Sequence, residues 1–174
     1  MPLIPDRDLR QRDIVPPQRL AACRATVVGV GAIGRQVVLQ LAAIGIPRIQ
    51  LVDYDIVEPA NLACQGYFEA DLGLRKVDAT AALIRQINSQ VEIHLEAERF
   101  RRSLEIGNVL FVCVDKIDTR RQIWDAVKDR VSFLADGRMR EADTRVVIDL
   151  FNASRGTALT QKTVMGLTDL SCLD

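Results

Sequence analysis

The stretch Val27-Val28-Gly29-Val30-Gly31-Ala32-Ile33-Gly34 decides how this chain is read. Its three glycines keep G-x-G-x-x-G spacing, and each has a separate job. Gly29 permits a tight strand-to-helix turn, Gly31 lets backbone approach a phosphate, and Gly34 lets the helix lie close to the strand. The spacing predicts a strand over Ala25–Val30 and a helix over Ala32–Ile44, whose free N–H groups at its start hold an anion. Asp53 comes about 20 residues later, where a bound nucleotide's ribose lies. A glycine turn alone says little, but in this context it predicts a nucleotide-binding α/β domain.

Bulk properties narrow the field. The chain has 174 residues with 48% hydrophobic content, enough for a substantial single core. Lys plus Arg and Asp plus Glu each total 23, so no whole-molecule field attracts nucleic acid. The opening Met1-Pro2-Leu3-Ile4-Pro5-Asp6 lacks the apolar core of a signal peptide, and no apolar run spans a membrane, so a cytoplasmic protein is expected. Cys23, Cys64, Cys113 and Cys172 are far apart, and His94 is the only histidine, which argues against a zinc site or disulfide framework. Cys113, inside the run Val109–Val114, reads as a small buried hydrophobe.

Working outward, residues 1–18, with Arg7, Arg10 and Arg12, read as a polar arm, with a short helix next over Gln18–Arg24. Gly45-Ile46-Pro47 stops the first helix, and a second strand, Arg48–Val52, delivers Asp53. Tyr54–Gln65 reads as irregular, with Pro59 excluding a regular helix through its middle. Apolar periodicity predicts a helix from Arg75 to Asn88, strands over Val91–Glu96 and Val109–Val114, and a helix over Thr119–Lys128. Further strands are expected at Val131–Leu134 and Arg145–Leu150. Alternating strands and helices imply a Rossmann-like, mostly parallel sheet with helices on both faces, filling residues 19–150, with ligands at the carboxyl ends of the strands. Residues 151–174 show little period and read as an irregular tail.

Dinucleotide oxidoreductases and adenylate-forming enzymes can share the first βαβ unit, so the residues beyond Asp53 choose between them. Gly73-Leu74-Arg75-Lys76 sets a lysine on the first turn of a helix, where it can reach phosphate. Asp115 stands at the end of a central strand, where its oxygens can hold Mg²⁺. Read singly, Lys76 is a solvated helix lysine and Asp115 an N-cap. Together they suit cleavage of a nucleoside triphosphate, and hydride transfer needs neither.

Six ordered motifs between Arg10 and Arg120 carry a resemblance. They are Arg10-Gln11-Arg12, the glycine turn, Asp53-x-Asp55-x-Val57, Asn61-Leu62-x-x-Gln65, Gly73-x-x-Lys76-Val77 and Asp115-x-x-x-Thr119-Arg120. The sequence resembles the ThiF/MoeB-like adenylyltransferases, which include the ubiquitin-activating enzymes. The resemblance implies ATP and Mg²⁺ as cofactors and adenylation of the C-terminal glycine carboxylate of a small ubiquitin-like or sulfur-carrier protein ending in Gly-Gly. It puts Gly29, Gly31 and Gly34 around the phosphates and Asp53 on the ribose. Asp55, Asn61 and Gln65 line the nucleotide pocket, Lys76 contacts phosphate, and Asp115 sits at the metal. It also implies a homodimer in which Arg10 or Arg12 reaches the neighbouring subunit's ATP.

The chain departs from the family pattern in three places. Cys64 stands where the family usually has an arginine, immediately before Gln65, and Lys116 replaces the usual asparagine beside the metal aspartate. A neutral thiol does not stabilise phosphates as a guanidinium does. Three consequences stay open: slow turnover, replacement of the charge by Arg75 or the arm's arginines, or nucleotide binding without reaction. The third departure is length, since the chain reads as the nucleotide half of such an enzyme, either truncated or a minimal divergent member. The leading expectation is an ATP-dependent adenylyltransferase. The alternatives are a catalytically weak binding partner or scaffold of the same fold and an NAD-dependent oxidoreductase.

Overall fold

Five parallel strands in the order β3-β2-β1-β4-β5 form the body of the sheet, extended by two antiparallel strands, β6 and β7. The computed structural model describes residues 7–139, 145–152 and 157–166, with side chains through residue 137. The strands are β1 (Arg24–Val28), β2 (Arg48–Val52), β3 (Glu92–Glu96), β4 (Val109–Val112), β5 (Phe133–Met139), β6 (Arg145–Asn152) and β7 (Thr157–Gly166). The helices are α1 (Pro17–Ala21), α2 (Ala32–Ile44), α3 (Pro59–Gln65), α4 (Lys76–Ile87) and α5 (Ile117–Val127). Strand order reverses between β1 and β4, the point at which sheets of this kind open a crevice at their carboxyl edge.

Alternation along the strands divides the core into two layers. Ala25, Val27, Ile49 and Leu51 face one side, where Val38, Leu41 and Ala42 of α2 and Val77, Ala81 and Ile84 of α4 cover them. Val28, Val52, Leu110 and Val112 face the other, against Ile123 and Val127 of α5. Helices therefore flank both faces, as the apolar runs predict. The helix α2 ends at Gly45, which adopts φ +94° and donates to the Ala42 and Leu41 carbonyls before Pro47. Arg7 Nη2 closes the same end by donating to the carbonyls of Ala42 and Ala43, both at 2.8 Å. No described helix is long and apolar enough to cross a membrane.

Several boundaries differ from those expected, each for a local reason. Pro59 starts α3 instead of breaking it, because a proline at the first helical position lacks only an N–H that would be unpaired anyway. The stretch from Tyr54 is thus irregular only as far as Glu58. Arg24 joins β1, so the short helix before it ends at Ala21. The fourth strand stops at Val112, and α5 begins at Ile117, two residues before the expected start. The expected strand Val131–Leu134 is shifted and lengthened to Phe133–Met139. The reading of 151–174 as irregular is corrected within the described residues. Thr157–Gly166 forms β7, whose order comes from the ladder with β6 and not from any strong period of its own.

One truncation on each face probes this packing. Ile84→Ala and Ile123→Ala, both at fully buried sites, should each lower unfolding free energy by about 2–5 kcal/mol, and the losses should add because the sheet separates them. Urea unfolding of both single variants and the double variant measures this; losses below about 1 kcal/mol would contradict the two-layer core.

Candidate active site

The glycine turn is held at its middle residue. Asp53, at the carboxyl end of β2, accepts the Val30 N–H on Oδ2 at 2.8 Å and the Asp55 N–H on Oδ1 at 2.9 Å. Tyr67 donates its hydroxyl to the Val30 carbonyl at 2.6 Å and also meets Thr80 Oγ1 at 3.3 Å. Both polar groups of the Val30 residue are therefore fixed from outside the turn. Burial pushes the Asp53 carboxyl above its usual value, although the two backbone N–H bonds oppose the rise. Burial likewise pushes the Tyr67 phenol up to about 12, so it keeps its proton at neutral pH.

Two glycines are required by contact. Gly29 adopts φ +88°, and a methyl group on it would lie 2.8 Å from the Cys113 carbonyl oxygen. A methyl on Gly34 would lie 1.8 Å from the Gly29 carbonyl oxygen, so α2 can rest on the turn only with glycine there. Gly31 differs: a methyl on it would lie 3.6 Å from Gln65 Oε1, which is buried and has no partner among the described residues.

The other expected residues gather along the same edge, but not all as free groups. Lys76 starts α4 and is buried. Its Nζ donates to Asp55 Oδ2 at 3.1 Å and its backbone N–H to the Asp55 carbonyl at 2.9 Å. Asp55 thus holds the lysine, and one of three ammonium donors is taken. Asn61 accepts the Glu58 N–H at 3.0 Å and so stabilises the start of α3. Asp115 is exposed, just past β4 and across from Gly29, and accepts the Lys116 N–H at 2.8 Å. The N-cap of α5 is Lys116, not Asp115.

The replacements expected for a missing charge at position 64 are occupied or distant. Cys64 donates its thiol to the Ala60 carbonyl at 3.1 Å, within α3. Arg75 pairs with Asp78 at 2.5 Å, a contact that also raises the guanidinium's pKa. The arm docks on the carboxyl end of α2 through Arg7 and through Gln11, which donates to the Ile44 carbonyl at 2.9 Å. A 13-residue helix spans about 20 Å, so within one chain Arg10 and Arg12 lie at the far end of α2 from the glycine turn.

Three positions were not read from the sequence as site residues. Tyr67 gives no signal beyond an aromatic side chain near Gln65. Arg35 does give one: it shares the buried stripe of α2 with Val38 and Leu41, where a charge is out of place. Arg120, seen only as a motif end, is buried, pairs with Asp136 of β5 and reaches the Val112 carbonyl at 3.4 Å, tying α5 to the edge of the sheet. A groove of about 530 Å³ opens elsewhere, over β1–β3 on the α5 side. Thr26 and Gln50 in it already bond each other, Gly107 and Glu105. The glycine turn, Lys76 and Asp115 lie at the carboxyl edge instead.

A Rossmann-like α/β fold with this glycine turn defines the class. The ThiF family model matches residues 7–158, and the chain belongs to the ThiF family. It is 40% identical over 114 residues to bovine adenylyltransferase and sulfurtransferase MOCS3, covering 62% of this chain and 25% of that protein. It is 27% identical over 121 residues to a molybdopterin-synthase adenylyltransferase of Haemophilus influenzae, covering 66% of this chain and 50% of that one. The chain therefore spans about a quarter to a half of these relatives. Among solved structures, E. coli MccB with AMPCPP and MccA shares the fold, with a TM-score of 0.73, 20% identity, and coverage of 85% of this chain and 49% of that one.

The Asp53 arrangement has a spectroscopic consequence. Its side-chain carboxyl carbon, tracked by ¹³C NMR against pH, should titrate with a midpoint above 3.8. Because the folded value is raised, Asp53 disfavours folding at neutral pH, and that penalty fades as pH falls through the raised midpoint towards 3.8. A midpoint at or below 3.8 would show that the backbone bonds outweigh desolvation.

Proposed function

We propose that the chain is an ATP-dependent adenylyltransferase acting on the C-terminal carboxylate of a small ubiquitin-like or sulfur-carrier protein. One observation carries the reading. Hydrogen bonds run from Lys76 through Asp55 and Asp53 to the Val30 amide, and at the start of the same turn the Val28 carbonyl accepts the N–H of Cys113, two residues before Asp115. A cation, a rigid glycine turn and an exposed carboxylate thus share one edge of the sheet. The buried, unpartnered Oε1 of Gln65 beside Gly31 fits the same use, as an acceptor awaiting a polar group.

In this reading, the free N–H groups at the start of α2 receive phosphate oxygens, and Lys76 offsets their charge with its remaining donors. Asp53 and Asn61 face the nucleoside. The acceptor carboxylate attacks the α-phosphorus, a phosphorus–oxygen bond forms as the bond to the bridging oxygen breaks, and pyrophosphate leaves. The nucleophile is already ionised, so the protein supplies position and charge and needs no general base. Mg²⁺, held at Asp115, would neutralise phosphate charge. Among the described residues no three His, Cys, Asp or Glu side chains form a cluster, so phosphate and water would supply its other oxygens. The distance of Arg10 and Arg12 from the turn supports a homodimer in which they act on the partner's nucleotide, and cytoplasmic residence completes the proposal.

A second reading, a nucleotide-binding partner that does not react, is favoured by Cys64, whose thiol is turned into α3. ATP–pyrophosphate exchange with a Gly-Gly-terminated carrier separates the two. Exchange should occur, and Lys76→Ala or Asp115→Ala should lower it by at least about a hundredfold while the protein stays folded. ATP binding without exchange would support the second reading, and unchanged exchange in both variants would remove those residues from the site.

A further inference from the structure

One buried cation has no counter-charge among the described residues, in a place where that is costly. Arg35 lies on the first turn of α2, directly after Gly34, and is only 3% exposed. Its Nε and Nη2 are buried and donate to nothing among the described residues. Its guanidinium stacks 4.6 Å from the ring centroid of Tyr67 and 5.6 Å from that of Phe68. Arginine cannot relieve burial by losing its proton, and the rings offer no hydrogen-bond acceptor in its plane. The other buried cations, Lys76 and Arg120, both have carboxylate partners.

The unpaired donors have a specific shape and place. Nε–H and Nη2–H lie on one edge of the guanidinium, the fork that takes two oxygens of a single phosphate or carboxylate. A methyl on Gly66 would lie 3.3 Å from Arg35 Nη1, so the guanidinium sits against the end of α3. The preceding residue, Gln65, carries the buried and equally unpartnered Oε1 beside Gly31. Orphaned donors and an orphaned acceptor therefore flank the place where α2 starts and α3 ends.

We propose that Arg35 is a phosphate-binding residue of this chain, taking oxygens of a nucleoside triphosphate on its Nε–Nη2 edge as the ligand settles on the glycine turn. This rests on the adenylating reading above. It supplies from α2 a guanidinium that Cys64 cannot provide and that Arg75, held by Asp78, does not.

The test is calorimetric titration of the full chain with Mg-ATP and with adenosine. Arg35→Met should weaken ATP binding by about tenfold to a hundredfold and leave adenosine unchanged, since charge-assisted bonds are lost and nothing else. Arg35→Lys keeps the charge without the fork, so its ATP preference should fall between the two. Without ligand, Arg35→Met should melt no lower than wild type, because it removes an uncompensated buried charge. An ATP-to-adenosine affinity ratio equal to wild type in Arg35→Met overturns the assignment. Should Arg35→Met fail to fold, the same equality in Arg35→Lys overturns it. A wild-type chain that binds neither ligand would defeat the adenylating reading, and this one with it.

Discussion

The hydrogen bond from the Val30 N–H to the buried Asp53 carboxylate is the constraint on which the rest depends. It joins the end of β2 to the centre of the glycine turn, and the Tyr67 hydroxyl fixes the carbonyl of the same residue. Gly29 can then lie against β4, and α2 can start with its N–H groups facing outward. Loosening that residue would blur the anion site and the packing of α2 together. Rigidity here has a cost, a charged carboxylate largely removed from water. Such a cost is ordinary where donors must be positioned before a charged ligand arrives.

Legibility tracked periodicity and spacing. The glycine turn, α2 and β2 are visible in the sequence because each is a local pattern with defined ends: an apolar run, a glycine stop, an acidic residue at a strand's end. Pro59 misled because a proline excludes a helix only from behind; ahead of it, the residue opens one. Strand β7 has no strong period of its own; its order comes from antiparallel pairing with the neighbouring β6. Site residues divide in the same way. Lys76 and Asp115 were visible as residue types at element ends. The pairing of Lys76 with Asp55 and the clamp by Tyr67 depend on contacts between separate segments, which no local pattern encodes, whereas the burial of Arg35 follows from its place on the apolar stripe of α2.

Family membership gives these observations a frame without deciding the chemistry of this chain. The family model covers residues 7–158, which include the glycine turn, Lys76 and Asp115. Within it lie a thiol at position 64 turned into its own helix, an arginine at 75 taken by Asp78, and an arginine at 35 with two buried donors that have no partner among the described residues.

The most direct measurement is ¹⁵N amide NMR during titration with Mg-ATP. Saturable shifts should concentrate at Gly29 to Ile33 and at the starts of α2 and α4, with the Val30 amide among the most affected. Shifts confined to the groove over β1–β3, around Thr26, Gln50 and His94, or no saturable shifts at all, would contradict a nucleotide seat on the glycine turn.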